Sequence, residues 1–211
     1  MNKLDLCKAL VLESALADSG PATTENQIGD FKRVVGWIDA AWLLVQSKLD
    51  QANFTWAEGT LTLPTSTSEI SYPNTLKSLN TGQLYDTTNS KFVRFMPYET
   101  FRDTYRTVSA GTPTIFTVTP LNQIKFNKLA DVETAYTYEG WGAATTMDSD
   151  DAVPELPEKF HQIIMWEALK MYSGYDDAPT KFQQASVQTR MLWPALRDEV
   201  EPAATFGGGL F

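Results

Sequence analysis

The chain has 211 residues, of which 43% are hydrophobic and 20% charged. This is enough apolar material for one compact body with a real core, so disorder of the bulk of the chain is excluded. The 26 Asp and Glu residues outnumber the 17 Lys and Arg residues, giving a net charge of −9, with eleven acidic and five basic residues in 142–211. That balance argues against nucleic-acid binding by a basic patch.

The first two predicted elements are helices. Apolar residues recur every three or four positions from Leu4 to Ala15, which predicts a short amphipathic helix ended by Gly20 and Pro21. Between Ile28 and Leu49 the apolar residues again follow helical spacing, in the strongest helix pattern of the chain. Residues 1–53 are therefore predicted to supply the N-terminal helices of a bundle.

The middle of the chain has the pattern of β-strands. In the sequence TLTLP at 60–64, the two leucines fall on one face of a strand of period two. Six or seven such segments, separated by clusters of Pro, Gly, Asn and Asp, are predicted in residues 54–146, with one short helix near 97–106. This region is predicted to be an inserted antiparallel β domain, a small sandwich or barrel.

The chain then returns to helical spacing in residues 147–201. A third long helix is predicted to begin near Pro157, and a last one to span Thr180 to Trp193, with Pro194 either kinking it or opening a separate turn. The predicted fold class is thus α+β, a bundle of about four main helices with the β domain inserted. The tail, residues 202–211, contains three consecutive glycines and is predicted to be flexible.

No motif of an enzyme class is present in the sequence. It contains no Walker loop, dinucleotide-binding glycine pattern, nucleophile elbow, HExxH or paired CxxC. His161 could act as a general base, but its place beside Phe160 at the start of an amphipathic helix favours a packing or capping role. A cell-wall hydrolase would need an acid and base pair that this sequence does not single out. We predict no catalytic residue and no enzyme activity.

The sequence also predicts no metal site and no cofactor. Asp148, Asp150 and Asp151 could coordinate a hard cation, yet their segment lacks the glycine and the distal glutamate of an EF-hand loop. A solvated acidic loop is the favoured interpretation. The single cysteine, Cys7, cannot form an internal disulfide and is most simply a small buried residue.

Three aromatic residues near the end of one predicted strand could form a platform for a sugar. They are Tyr136, Tyr138 and Trp141, but strand alternation places Trp141 on the face opposite the two tyrosines, so ordinary core packing is favoured. The longest uncharged apolar run, from Ala40 to Val45, is far shorter than the roughly 18 residues of a membrane span. A soluble protein of a cytoplasm-like environment is expected.

Several stretches of the sequence resemble a known family. They are VGWIDAAW at 35–42, FTW at 54–56 leading to LTLP at 61–64, and LPEKFH at 156–161 before ALKMY at 168–172. With the order helix, helix, β, helix, helix, the chain resembles the head-to-tail adaptor (connector, or head-completion) proteins of tailed bacteriophages, particularly the short-tailed type. The resemblance covers nearly the whole chain.

The resemblance implies a structural virion protein of the neck, made in the host cytoplasm. It implies a closed ring of twelve copies beneath the portal protein, with the tail or nozzle proteins on its other side and DNA passing through without specific binding. An acidic channel surface would repel the DNA phosphates. The C-terminal segment would reach the portal, and the expected portal-binding residues are Pro194, Leu196, Val200, Phe206, Leu210 and Phe211. The alternative function is a carbohydrate-binding or adhesion module of a phage tail that uses the three aromatic residues.

Overall fold

The computed structural model describes residues 1–17, 19–49 and 51–201, and the chain divides into two compact units. The helical unit consists of Met1–Phe54 together with the chain from Ala144 onward, and the β unit is Thr55–Ala143. With five α-helices and mixed sheets in the described residues, the protein is α+β, as the sequence predicts. The helices are α1 (Lys3–Ser14), α2 (Gly29–Lys48), α3 (Tyr98–Thr104), α4 (Gln162–Tyr175) and α5 (Pro179–Val200).

The helical unit is organised around α4. This helix packs against α1, α2 and α5, and nine of its 14 residues are buried, as expected for a helix that is apolar on nearly all sides. A short 3-10 turn, Glu158–Phe160, leads into it, so the regular helix begins five residues after the predicted start. The core of this unit forms where the apolar faces of α1, α2 and α5 meet α4.

The start of the chain is held by local and distant contacts. Asn2 and Asp5 form a capping box in which each side chain accepts a hydrogen bond from the backbone of the other, at 2.8 and 3.2 Å. Lys3 is buried, and its Nζ lies 2.9 Å from Oδ1 of Asp39 on α2 and donates to the carbonyl of Met147 at 2.8 Å. A charged residue on α1 therefore fixes α2 and the segment that precedes α4.

The last helix passes through the proline at which two alternatives were predicted. Helix α5 continues through Pro194 to Val200 as one element, so no separate turn opens after Trp193. The proline removes one backbone hydrogen bond, but Leu196 and Val200 beyond it are buried in the core. Burial of these two side chains, worth roughly 1.5–3 kcal/mol each, offsets that loss and keeps the helix continuous.

The β unit has more and shorter strands than predicted. The predicted strand at 76–85 is two strands, and the segment at 91–96 is interrupted at Val93. The strands are β1 (Trp56–Leu63), β2 (Glu69–Ser71), β3 (Leu76–Leu79), β4 (Tyr85–Asp86), β5 (Lys91–Phe92), β6 (Arg94–Phe95), β7 (Ser109–Ala110), β8 (Ile115–Val118), β9 (Gln123–Phe126), β10 (Lys128–Leu129) and β11 (Thr134–Gly142).

The strands form two main sheets and one isolated pair. One sheet has the order β1-β11-β4-β5, with β3 also paired to β11, and the other has the order β2-β9-β8-β6. The longest pairing, β1 with β11, is antiparallel and runs from Trp56 opposite Trp141 to Leu63 opposite Thr134. The prediction of a purely antiparallel domain is wrong, because β6 pairs with β8 and β7 with β10 in parallel. Parallel pairing needs a crossover, and α3 supplies it between β6 and β8.

In the described part of the chain, no helix is long and apolar enough to cross a membrane.

Candidate interaction surfaces

His161 has both ring nitrogens engaged. Its Nε2 lies 2.9 Å from the Leu156 carbonyl oxygen, to which it donates, and its Nδ1 accepts from the amino group of Met1 at 2.8 Å. The ring is 2% exposed and directly precedes α4. These contacts give His161 the packing role that the sequence favoured, and they leave no free nitrogen to act as a base.

The acidic segment before α4 anchors a loop. Oδ1 of Asp150 accepts hydrogen bonds from the backbone nitrogen of Thr24 at 2.6 Å and from its hydroxyl at 2.5 Å. Hydrogen bonds from Thr24 and Thr23 hold the pKa of Asp150 below its ordinary value. Among the residues the structure describes, no group of three His, Cys, Asp or Glu could hold a metal ion. Asp150 therefore connects the α1–α2 loop to the segment before α4.

The three aromatic residues of β11 do not form one exposed platform. Tyr136 and Tyr138 are buried in the core of the β unit. Trp141 lies on the other face of the strand, where its ring meets that of Trp56 edge to face at 5.4 Å. The core interpretation is confirmed for both tyrosines, so the three residues do not act together as a surface for a sugar.

A buried carboxylate joins three helices of the helical unit. Oε1 of Glu167 on α4 accepts from Nε1 of Trp193 on α5 at 2.8 Å and from Nζ of Lys48 on α2 at 3.1 Å, and Oε2 accepts from Nζ of Lys170 at 3.2 Å. Burial opposes ionisation of Glu167, but the hydrogen bonds from Trp193 and Lys48 and the charge and hydrogen bond of Lys170 together outweigh it and hold its pKa below the ordinary value. Sequence reasoning missed this cluster. The available signal was one acidic residue within an otherwise apolar stretch of α4.

Cys7 is an unreactive thiol. It is buried on α1, and burial raises its pKa to about 12, so the thiolate is scarcely populated near neutral pH. The interpretation of Cys7 as a small buried residue is confirmed.

Two helices of the helical unit expose apolar faces opposite the core. The outer face of α5 is formed by Val187, Met191, Pro194 and Asp198, and the outer face of α2 is formed by Lys32, Gly36, Ala40 and Leu43. Val187 and Met191 are 56% and 64% exposed, and Leu43 is 42% exposed. The spacing of three and four residues within each set places its members on one side of the helix. Both faces are therefore suited to contact other proteins.

The six expected portal-binding residues fall into three groups. Pro194 is exposed on the outer face of α5. Leu196 and Val200 are buried in the core of the helical unit. Phe206, Leu210 and Phe211 lie outside the described residues. Burial gives Leu196 and Val200 a packing role, which apolar composition alone could not distinguish from a role in partner contact.

Comparison with protein families gives one match that covers nearly the whole chain. The model of the family described as SU10 adaptor protein matches residues 1–203. Among curated proteins, none matches this sequence. The family match agrees with the resemblance to phage head-to-tail adaptors and with a structural rather than an enzymatic role. The chain therefore belongs to the SU10 adaptor protein family.

Proposed function

We propose that this adaptor assembles as a closed ring of twelve copies between the portal and the tail or nozzle proteins, in the neck of the virion. DNA passes through the centre of the ring without specific binding. The family match over residues 1–203 is the observation that carries the proposal. The proposed architecture is the predicted helical bundle with its inserted small sandwich or barrel.

The distribution of charge supports passage of DNA rather than its capture. The helical unit contains 18 acidic and 10 basic residues, whereas the β unit contains 8 and 7. An acidic surface repels phosphates, and a protein that retains DNA needs clustered Lys and Arg. We propose that acidic residues of the helical unit line the channel and keep the genome from adhering.

Portal contact is proposed for the C-terminal tail, with Phe206, Leu210 and Phe211 as its apolar anchors. An apolar tip on a glycine-rich tether can dock on a neighbour, and the tether raises its effective concentration once the ring is in place. Leu196 and Val200 fill the core of the helical unit. We therefore place the portal contact on the tail rather than on these two residues.

Deletion of residues 202–211 is expected to abolish binding to the portal ring without changing the unfolding of the chain. The deletion removes the three apolar anchors and leaves every described core residue of both units in place. Light scattering measures portal binding, and far-UV circular dichroism measures thermal unfolding. A full-length variant with Leu210→Ser and Phe211→Ser is the matched control, because it keeps the tail but loses its apolar tip and is also expected not to bind. Unchanged affinity of the truncated chain would contradict the tail assignment and leave the fold unaffected.

A further inference from the structure

Helices α2 and α5 present two separate outer faces. Both helices pack on α4, and they meet each other near one end, where Nζ of Lys48 lies 4.9 Å from the centre of the Trp193 ring. Their outer faces are turned away from that shared core. Within residues 1–17, 19–49 and 51–201, one copy therefore carries two different surfaces that no other part of the chain covers, as a head-to-tail assembly requires.

We propose that the outer face of α5 in one copy packs antiparallel against the outer face of α2 in the next copy. This inference rests on the proposed ring and names its subunit contact. The opposed pairs are Lys32 with Asp198, Gly36 with Pro194, Ala40 with Met191, and Leu43 with Val187. Steps of four, four and three residues along α2 meet steps of four, three and four along α5, so the pairs stay aligned within one residue, about 1.5 Å.

The shapes of the two faces are complementary. Gly36 and Ala40 leave a shallow strip on α2, and a side chain built at position 36 would meet no described atom within 4 Å. Small residues let a second helix approach closely, and the larger Met191 side chain fills the space above them. Leu43 opposite Val187 adds an apolar pair that is exposed in the single chain.

The charges beside the two faces favour this contact and its antiparallel direction. Arg33 and Glu199, which adjoin the two faces, already form ion pairs with Asp30 and Lys159 of their own chain. Within the described residues, Lys32 and Asp198 have no ion-pair partner. Antiparallel packing brings these two opposite charges together at one end of the contact.

Parallel packing is the competing arrangement. It would also match apolar positions, placing Gly36 opposite Val187, but it would leave both Lys32 and Asp198 without a partner of opposite charge. Antiparallel packing in addition opposes the two helix dipoles. Charge and dipole together therefore favour the antiparallel pair.

The small size of the contact explains why the adaptor ring would form only on the portal ring. One pair of helix faces is small beside the roughly 1,600 Å² buried in a stable complex. Copies tethered side by side on a portal ring have a high effective concentration, which such a weak contact needs. We therefore expect this contact to close around the ring only when the portal is present.

Disulfide cross-linking of double-cysteine variants on the portal ring tests the inference. The variant Ala40→Cys/Met191→Cys and the variant Leu43→Cys/Val187→Cys are expected to give a series of covalent oligomers on non-reducing electrophoresis. Native Cys7 does not interfere, because it is buried and its pKa is about 12. Leu12→Cys/Met191→Cys is the matched control, since Leu12 is exposed on α1 outside both faces, and it should not cross-link. Ala40 and Met191 are opposed in either arrangement, whereas Leu43 and Val187 are opposed only in the antiparallel one. The variant Gly36→Cys/Val187→Cys reports parallel packing, and a higher cross-linking yield from it than from Leu43→Cys/Val187→Cys would overturn the antiparallel arrangement.

Charge reversal at Lys32 and Asp198, which are both exposed, supplies a second readout. Lys32→Asp and Asp198→Lys alone should each lower the cross-linking yield of Leu43→Cys/Val187→Cys several-fold, and the two together should restore it. If light scattering shows that the ring assembles on the portal but none of these cross-links forms, the contact between α5 and α2 would be overturned. The adaptor function would remain. Such a result would also be expected if a tail protein, rather than a second copy, covers α5. Failure of the unmodified chain to join the portal would overturn the proposed function itself.

Discussion

Replacement of Glu167 by alanine is expected to lower the free energy of unfolding of the helical unit by about 2–4 kcal/mol. The carboxylate is buried and accepts from Trp193, Lys48 and Lys170. Without it, the Trp193 indole loses its hydrogen-bond partner, and two lysines lose their counter-charge. Lys48 is partly exposed, so water recovers some of its loss and the expected cost stays below the upper range for a fully buried pair. Chemical denaturation followed by circular dichroism measures the change.

The dependence of stability on pH separates the contribution of the Glu167 charge from that of its side-chain volume. The folded-state pKa is lowered, so the stabilisation is fully present above the unfolded-state value of 4.5 and is lost as pH falls through the lower folded-state value. The matched control, Glu167→Gln, keeps the volume and one acceptor but cannot titrate. It should lose less stability than the alanine variant at pH 7 and should show a weaker decline in acid. Equal stability of Glu167→Ala and the unmodified chain at pH 7 would show that this cluster contributes nothing.

Replacement of Gly140 by alanine is expected to destabilise the β unit by about 2–3 kcal/mol. A Cβ at this position would lie 2.5 Å from the carbonyl oxygen of Ser78 and 3.2 Å from Cα of Leu79, both on β3. These are backbone atoms, which cannot rotate away as a side chain can. The pairing of β3 with β11 must therefore shift, and hydrogen exchange of the amides of both strands should accelerate.

A second glycine of the same unit supplies the control. An alanine Cβ at Gly82 would have its nearest neighbour at 3.7 Å, which is ordinary van der Waals contact. Gly82→Ala should therefore leave the unfolding of the β unit unchanged within about 0.5 kcal/mol. If Gly140→Ala and Gly82→Ala had the same free energy of unfolding, the close approach of β3 to β11 would not contribute to stability.

The sequence predicts helices well where their apolar residues are regularly spaced. The pattern beginning at Ile28 predicts a helix, and α2 occupies Gly29–Lys48. That information is local, because residues three or four apart share a face whatever the rest of the fold does. The sequence left two alternatives open at Pro194, because the continuation of α5 past this residue depends on burial of Leu196 against other helices.

Strand alternation is also a local pattern, and it places Tyr136 and Trp141 on opposite faces of β11, as the structure confirms. Contacts between distant residues could not be predicted in this way. The Glu167 cluster joins residues 119 and 26 positions apart, and no local pattern pairs Glu167 with Lys48 or Trp193. The strand breaks of the β unit likewise depend on turns and on pairing partners that lie far away in sequence.

The mass of the purified protein in solution, alone and mixed with a portal ring from the same virus, tests the adaptor function most directly. Light scattering resolves a single chain of 23.6 kDa from its complexes. The adaptor function predicts a single chain that adds to the portal ring in a fixed multiple and leaves the excess protein unbound. A protein that keeps its own mass in the presence of the portal would contradict it.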